Sequence, residues 1–511
     1  MSIRSITKGI VSVGMWSATR LVVTGLVLPV YSRMLGTDGY GQYAYYVALL
    51  LIASHPAGFG MRHTLTKYFA ERPNERGWQR QLAKFARSAM VASGLIVGAI
   101  VIVLLTSSSG GGLHALGIVA VVAGILWCEQ MHQFASGILY GLHREEDATV
   151  PAALGVVIGG AIGAALAVTG FGVMGALSGL LVAWLFAAGI ALRRARRALG
   201  STAAAMAVPL PHRELLTFGI SSMAYSGVAM ALYSVDVVLV RYFAGDQQTG
   251  LYAAAVQWSE FVWFVPIAIE GVMLQSTAGL WAQGKFDEIT RLVSRLMRYV
   301  AVTTAFLLIY VLVFAEHIVT FYFGAQFRDA TFPLQLLVPG AFAFSLARVI
   351  RPVIQAHGWV MTLLKTVSAA TLINIVLNVA LVPRWGASGA SVATSLSFIC
   401  VTLLYVRLLQ GEGVHSFQGL AAGRLLLLCA GTMVVLTPMA LTISDPFLAI
   451  MLGGIAALGL YWCGVFWLGL IRVRELEQIV DSMPGPLRQT GIKAMRLLQP
   501  MLVRLDAIAM N

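Results

Sequence analysis

Several ionisable side chains lie inside stretches of this chain that are otherwise apolar. An ionised group at the centre of a membrane span costs at least ~2.5–3.5 kcal/mol, so such groups usually face a partner or a water-filled cavity. They are therefore the first candidates for chemistry. The candidates are Arg20, Glu129, His132, Asp236, Glu260, Glu270, Arg348 and Arg351.

The three arginines suit an anionic substrate. A guanidinium presents a planar fork of donors that matches the oxygens of a phosphate or pyrophosphate. Arg20 lies near the middle of its apolar stretch, and we predict that it binds substrate in a cavity; a structural ion pair is the alternative. Arg348 and Arg351 share a helix face. They either snorkel to the membrane surface or form a cationic vestibule for a phosphate.

Three acidic or titratable groups are candidates for ion coupling. Glu129 and His132 belong to one polar stripe on a helix, where they could share a proton or form a buried pair that satisfies itself. Asp236 has no basic residue on its own helix face. It needs a partner from elsewhere, for which Arg20 is a candidate, and a purely structural bridge is the alternative. The predicted coupling ion is H⁺ or Na⁺.

Four more side chains are predicted to bind substrate. Glu260 and Glu270 flank Pro266 in a segment rich in Trp and Phe, where a bend is expected. The rings could stack on sugar faces, or they could form a packing or interfacial cluster. Asn374 and Asn378 lie on a polar stripe of another apolar segment. Such a stripe is predicted to face a cavity.

These side chains must be positioned by membrane-spanning helices. The chain has 511 residues, of which 58% are hydrophobic and 11% charged, far below the roughly 25% charged residues of soluble domains. Apolar runs of about twenty residues, each long enough to cross a ~30 Å hydrocarbon core, follow one another along the chain. We predict an all-α polytopic fold with about fourteen transmembrane helices. The spans are 10–32, 39–61, 85–106, 113–141, 150–169, 172–192, 214–240, 248–280, 292–315, 331–355, 360–382, 387–409, 418–442 and 447–471.

The positive charges are concentrated on one side of these spans. With the N-terminus inside, the inside loops contain 26 Lys and Arg residues and the outside loops contain four. This distribution predicts a multi-pass protein of the cell (inner) membrane with both termini in the cytoplasm. The net charge of +13 then reflects topology and affinity for anionic lipid head groups, and no nucleic-acid partner is predicted.

Two short motifs occur twice in the same order. Residues 33–44 recur at 241–253, 208 to 209 residues later, and residues 172–176 recur at 386–390, 214 residues later. About six spans lie between the copies, so both copies enter the membrane from the same side. We predict two six-helix lobes related by an axis along the membrane normal, plus two C-terminal helices.

This repeat defines the predicted domains. They are an N-terminal lobe over residues 1–200, a C-terminal lobe over 201–410, two further helices over 411–472, and a cytoplasmic amphipathic tail over 473–511.

The repeated motifs resemble those of polysaccharide flippases in the multidrug/oligosaccharidyl-lipid/polysaccharide (MOP) exporter superfamily. Residues 33–43 resemble the start of these proteins, and residues 236–252 resemble their seventh span. The Gly-x-x-Gly-Ala pairs at 172–176 and 386–390 resemble the starts of spans six and twelve. Members often carry an acidic residue near the end of span two, whereas residues 57–60 have none. The resemblance implies movement of a lipid-linked oligosaccharide from the inner to the outer leaflet.

We therefore predict a transporter, and not an enzyme, that flips a polyprenyl-phosphate or polyprenyl-pyrophosphate oligosaccharide for cell-surface polysaccharide biosynthesis. One alternative is an ion-coupled multidrug antiporter. Another is a non-transporting component of the glycan assembly machinery, beside a glycan polymerase and glycosyltransferases. The sequence contains no phosphate-binding loop, zinc-ligand spacing or nucleophile elbow, so no catalytic residue, cofactor or metal is predicted.

Overall fold

The computed structural model describes residues 3–72, 75–107, 113–200, 208–471 and residue 475, and every regular element within these ranges is helical. A π-helical turn (Ala167–Phe171) and a 3₁₀ helix (Ala325–Ala330) interrupt the α-helices. The α-helices of the described ranges are α1 (Ile3–Gly58), α2 (Met61–Glu71), α3 (Arg76–Ser107), α4 (Leu113–Gly141), α5 (Glu146–Leu166), α6 (Gly172–Leu199), α7 (His212–Phe261), α8 (Phe264–Ala282), α9 (Phe286–Val313), α10 (Ala315–Phe323), α11 (Thr331–Ala356), α12 (Val360–Gly411), α13 (Ala422–Thr442) and α14 (Pro446–Trp467).

The apolar helices account for the predicted spans. Within the described ranges, nine continuous helical segments are long and apolar enough to cross a membrane, and α1 with α2 forms a tenth that bends by 47°. Four of these ten segments are bent at a glycine, which divides each into two helical parts. The prediction of an all-α fold with about fourteen spans is thereby confirmed.

The bends occur at equivalent positions of the repeat. Gly36 in α1 has φ 71° and ψ −176°, and Gly245 in α7 has φ 82° and ψ −179°. Gly172, which begins α6, has φ 54° and ψ −135°, and Gly386 in α12 has φ 53° and ψ −131°. A positive φ favours glycine because it lacks a Cβ atom. The duplication is therefore present in the backbone conformation as well as in the amino-acid sequence.

The chain divides into two compact units, Met1–Ala253 and Ala254–Asn511. The lobe boundaries predicted above come from the sequence repeat, whereas these units are defined by compactness. The lobe boundaries therefore stay predictions. The predicted tail over 473–511 lies outside the described residues apart from Glu475.

In the first unit, small residues bring helices together. A Cβ atom on Gly159 of α5 would lie 2.3 Å from the carbonyl oxygen of Gly179 in α6. Small residues allow such close backbone approach in membranes, where no hydrophobic effect drives helices together. Beneath α2, an apolar core contains Leu65, Phe69 and Trp78, and the Trp78 indole donates a hydrogen bond to the Tyr68 carbonyl (2.9 Å).

The same unit contains a reciprocal crossing of α1 and α7. A Cβ atom on Gly41 would lie 1.9 Å from the carbonyl oxygen of Asp246, and one on Gly250 would lie 2.1 Å from the carbonyl oxygen of Thr37. Gly41 and Gly250 are 209 residues apart, as are Thr37 and Asp246. Each copy of the motif therefore contacts the other through the same pair of positions.

In the second unit, α11 packs against α8, α9 and α12, and α13 and α14 pack against α9. The hydroxyl group of Tyr461 in α14 donates a hydrogen bond to the carbonyl oxygen of Val302 in α9 (2.8 Å). The Trp263 indole, between α7 and α8, donates to the carbonyl oxygen of Ala341 in α11 (3.1 Å). These contacts fix the helices that carry the charged residues described next.

Candidate functional site

Two arginines of α11 converge on one carboxylate of α8. The Arg348 Nη1 atom lies 3.0 Å from Glu270 Oε2, and the Arg351 guanidinium pairs with Glu270 Oε1. The side chains of Arg348 and Glu270 are each 14% exposed, and that of Arg351 is 30% exposed. Residues three apart on a helix share a face, so the spacing of the arginines explains why both reach the same acidic group.

Aromatic rings hold the first of these guanidiniums in place. The Arg348 guanidinium carbon lies 4.9 Å from the ring centre of Trp263 and 5.3 Å from that of Phe344. Phe344 in turn stacks on Phe398 of α12, with ring centres 4.4 Å apart. Such cation–π contacts stabilise a desolvated cation. Arg348 is therefore held by packing as well as by charge.

Glu260 completes the group. It lies in the last turn of α7, where the charge of Arg348 acts on its carboxylate. The helix interruption expected near Pro266 falls at residues 262–263, and Pro266 sits in the first turn of α8, where its missing N–H leaves no broken hydrogen bond. The structure thus brings Glu270, Arg348 and Arg351 into contact, with Glu260 within electrostatic range of Arg348. We call Glu260, Glu270, Arg348 and Arg351 the arginine cluster.

The aromatic residues around Glu260 serve different purposes. Trp263 is buried against Arg348, and Trp258 packs edge-on against Tyr322, with ring centres 5.3 Å apart. Phe261 and Phe264 are exposed. The buried rings support the packing interpretation.

Asn374 and Asn378 are fully buried in α12. The Asn378 amide donates to the backbone carbonyl of Asn374 (2.9 Å) and to its side-chain oxygen (3.2 Å). Among the described residues, the Asn374 side-chain nitrogen has no hydrogen-bond partner. α12 packs directly on α11, the helix that carries Arg348 and Arg351.

The predicted proton-sharing residues are buried within the first unit. Glu129 and His132 are both buried on α4. One ring nitrogen of His132 lies 3.3 Å from the Ala148 carbonyl oxygen, and the Ser136 hydroxyl lies 3.4 Å from the ring. The stripe therefore faces protein rather than lipid.

Asp236 has a partner that the sequence did not indicate. The hydroxyl group of Tyr252 donates a hydrogen bond to Asp236 Oδ2 (2.8 Å), and both side chains are buried. The partner comes from beyond the bend at Gly245, which folds the second part of α7 back beside the first. Arg20, the partner expected from the sequence, lies in α1, and its side chain is outside the described part of the structure.

A second ionic group near this bend was not predicted from the sequence either. Arg241 Nε lies 2.7 Å from Asp246 Oδ1, and the Gln42 amide donates to Asp246 Oδ2 (2.9 Å). The Arg241 guanidinium also lies 4.0 Å from the ring centre of Tyr45. The signal was present in the repeated motif, because Arg241 and Asp246 flank the repeated Gly245.

The chain is similar to proteins of known family and fold. A family model described as "Polysaccharide biosynthesis protein" matches residues 6–262. The probable low-salt glycan biosynthesis flippase Agl15 of Haloferax volcanii is 23% identical over 401 residues, covering 76% of this chain and 80% of that protein. An uncharacterized membrane protein of Methanocaldococcus jannaschii is 20% identical over 273 residues, and the match spans about half of each chain, 53% and 54%.

Solved structures share the fold. The lipid II flippase MurJ in an inward closed conformation superposes with a TM-score of 0.70 at 14% identity, covering 90% of this chain and 99% of that one. Transporters whose structures are titled as members of the MOP superfamily superpose with TM-scores of 0.55 and 0.58. The chain therefore shares the fold of these transporters.

Proposed function

This chain belongs to the polysaccharide biosynthesis protein family, and from this premise we propose that it flips a lipid-linked oligosaccharide from the cytoplasmic to the outer leaflet. The carrier is a polyprenyl phosphate or pyrophosphate, and the product serves cell-surface polysaccharide biosynthesis. The names of two similar proteins, a glycan biosynthesis flippase and a lipid II flippase, support this assignment.

The arginine cluster is the observation that carries the proposal. Two guanidinium groups approach the two oxygens of Glu270, one on each. A carboxylate and a phosphate present oxygens in a similar arrangement, and arginine forks bind both. Glu270 therefore occupies the position that a phosphate oxygen pair of the substrate takes in our proposal. The 30% exposure of Arg351 leaves one side of the cluster open to an incoming anion.

Because Glu270 is largely buried with its two arginines, it can be displaced favourably only when a substrate phosphate takes its place in both ion pairs. Removing one partner from a buried ion pair leaves an uncompensated charge and costs about 3–5 kcal/mol. Glu270 can therefore leave Arg348 and Arg351 only when another anion arrives. The exchange selects for an anionic head group and against a neutral lipid.

In the proposed cycle, the head group enters an inward-open cavity while the polyprenyl tail remains in lipid. Arg20 contributes to phosphate binding together with Arg348 and Arg351, and Asn374 and Asn378 line the path of the head group. The two lobes then rock to expose the sugar outside. An H⁺ or Na⁺ gradient biases the cycle through Glu129 and His132 or through Asp236.

The proposed location is the cell inner membrane, with both termini in the cytoplasm. The excess of Lys and Arg in alternate loops supports this orientation. A glycan polymerase and glycosyltransferases are the proposed neighbours, because they would supply and consume a lipid-linked glycan.

Genetic complementation tests the proposal. In cells that lack their own glycan flippase, the wild-type chain is expected to restore surface polysaccharide. The double variant Arg348→Gln, Arg351→Gln and the single variant Arg20→Ala are expected to abolish it at a normal membrane level. Arg348→Lys, Arg351→Lys retains both charges but loses the bidentate forks, and is expected to retain only part of the activity.

Arg424→Gln is the matched control. Arg424 lies in α13, outside the duplicated helices, and donates to the Leu468 carbonyl oxygen (3.1 Å). Full activity is expected for this variant. Full activity of both Arg348→Gln, Arg351→Gln and Arg20→Ala would contradict the proposed phosphate site.

Export of small cationic drugs by ion antiport is the second candidate. The buried acids Glu129 and Asp236 and the fold shared with multidrug transporters favour it. The arginine cluster does not favour it, because Arg348 and Arg351 already occupy both oxygens of Glu270 and leave that carboxylate unavailable to a cationic substrate. Drug resistance conferred by the wild-type chain, without restoration of surface polysaccharide, would support this second function.

A further inference from the structure

A row of basic residues occurs twice, at the cytoplasmic start of α3 and of α9. Arg80, Lys84 and Arg87 recur 211 residues later as Arg291, Arg295 and Arg298. This offset lies between those of the two glycine motifs, so the row belongs to the same duplication. Residues at i, i+4 and i+7 share one face of a helix and here span about 10 Å along its axis.

The first row continues into apolar side chains on the same helix face. Val91 and Leu95 follow Arg87 at helical spacing and are 67% and 73% exposed, and Ile102 is 63% exposed. Lys84 and Arg87 are exposed as well. None of the carboxylates in the described ranges forms a salt bridge with either of them. This face therefore presents cations above a column of uncovered apolar side chains.

The second row differs in one respect, because its face is covered from Arg298 onward, whereas Arg291 and Arg295 remain exposed. Val302, the counterpart of Val91 at the same offset, has 0% exposure. The hydroxyl group of Tyr461 in α14 donates to the carbonyl oxygen of Val302, and the Tyr461 ring lies 5.3 Å from that of Phe306. The Arg298 guanidinium pairs with Glu475, which follows α14.

The covering of α9 shows which chemistry fits this face. A carboxylate pairs with Arg298, the last residue of the basic row, and an aromatic side chain of α14 lies against Val302 and Phe306 below it. We propose that an anionic phospholipid of the inner leaflet occupies the equivalent face of α3. Its phosphate contacts Lys84 and Arg87, and its acyl chain lies along Val91 and Leu95.

The charges lie at the depth of the lipid head groups. α3 begins at Arg76, about nine residues before the predicted span, and the buried Trp78 anchors this first part against α2. Basic side chains at this depth on the cytoplasmic side attract anionic lipids. The site is independent of the proposed transport function, since none of its residues belongs to the arginine cluster.

Lipid retention tests the proposal. The full chain is purified from membranes, exchanged into nanodiscs of phosphatidylcholine with a minor fraction of phosphatidylglycerol, and released for native mass spectrometry. The wild type is expected to retain phosphatidylglycerol in preference to phosphatidylcholine. Lys84→Gln, Arg87→Gln is expected to bind it more weakly, by about fivefold for each cation removed and roughly 25-fold in total.

Two further variants distinguish the site from a general charge effect. Arg213→Gln, Arg407→Gln removes two charges at separated, exposed cytoplasmic positions and is expected to retain phosphatidylglycerol as the wild type does. Lys84→Arg keeps the charge and is expected to retain the lipid. Thermal unfolding of each variant without added phosphatidylglycerol confirms that the fold is intact.

Equal retention by Lys84→Gln, Arg87→Gln and the wild type would overturn the proposal. So would a loss in the Arg213→Gln, Arg407→Gln control as large as that in the test variant. A wild-type dimer that separates in Lys84→Gln, Arg87→Gln would also overturn it, because a second protein would then cover this face.

Discussion

Gly36 and Gly245 bend the backbone in nearly the same way 209 residues apart, yet the side chains near them differ. Asp236 is buried nine residues before Gly245, whereas its counterpart at this offset is Val27. The residues 209 to 214 positions before Glu270, Arg348 and Arg351 include no charged side chain. The two copies of the repeat therefore share their bends but not their chemistry.

The glycine bends and the charged side chains therefore have separate roles. The glycine bends and the Gly41–Gly250 crossing determine how helices turn and approach one another, and both copies need them. The arginine cluster belongs to the second copy alone. A duplicated scaffold whose halves carry different charges can bind an asymmetric substrate, such as a phosphate joined to a sugar.

The buried charges of the second copy are expected to give the largest effect. Glu270→Ala leaves Arg348 and Arg351 facing each other without their shared carboxylate, and is expected to lower the free energy of unfolding by about 3 kcal/mol. Glu270→Leu combined with Arg348→Met should recover part of this loss, because an apolar pair needs no counter-charge. Thermal unfolding in detergent measures both.

Glu316→Ala is the control for this comparison. Its pair with Arg328 is solvent-exposed, with Glu316 Oε1 2.7 Å from Arg328 Nη2, and exposed pairs contribute about 0–1 kcal/mol. An equal loss in Glu270→Ala and Glu316→Ala would show that burial does not set the strength of the arginine cluster.

The glycine crossing is expected to respond equally in both copies. Gly41→Ala and Gly250→Ala each place a Cβ atom against a backbone carbonyl, and overpacking of this kind costs about 1–3 kcal/mol. Gly189→Ala, whose Cβ atom would have no neighbour within 4 Å, should be neutral or slightly stabilising. The same unfolding assay applies. A loss confined to one of the two crossing variants would contradict the reciprocal contact.

These glycines also illustrate what the sequence can establish. The repeated motifs and the apolar runs predicted the fold class and the number of spans, because those properties follow from local sequence. The bends at Gly36 and Gly245 fall between predicted spans but were not themselves predicted. Glu270 was predicted to bind substrate, but its pairing with Arg348 and Arg351 was not predicted. That pairing depends on how α8 packs against α11, which no spacing within one helix reveals.

Asp236 shows the same limit at shorter range. Tyr252 is only 16 residues away, but the two meet because of the fold-back at Gly245. Its sequence neighbours gave no reason to choose Tyr252 over a basic residue. The sequence therefore identified the buried acid and not its donor.

The Tyr252–Asp236 hydrogen bond gives the next prediction in size. Tyr252→Phe removes a donor from a buried carboxylate and is expected to lower the free energy of unfolding by about 1.5 kcal/mol. Tyr242→Phe, at an exposed tyrosine of the same helix, is expected to have no effect. If the Tyr252→Phe protein were as stable as the Tyr242→Phe protein, the Tyr252–Asp236 hydrogen bond would not contribute to the free energy of unfolding.

The Asp246 contacts are expected to give the smallest effect. Arg241 and Asp246 are partly exposed, so Arg241→Gln should lower stability by at most about 1 kcal/mol. Added salt should reduce the difference between the variant and the wild type, because it screens partly exposed charges. Unfolding at low and high salt measures this. A loss as large as that of Glu270→Ala would contradict the contrast between the partly exposed Arg241–Asp246 pair and the more deeply buried Arg348–Glu270 pair.

Reconstituted transport tests the central claim most directly. The purified chain is placed in liposomes that contain a fluorescent polyprenyl-pyrophosphate oligosaccharide, and a membrane-impermeant reagent reports the fraction in each leaflet. The wild type is expected to move the lipid between leaflets, and Arg348→Gln, Arg351→Gln is expected not to. Failure of a folded wild-type chain to move this lipid, together with efflux of a drug cation from the same liposomes, would contradict the central claim.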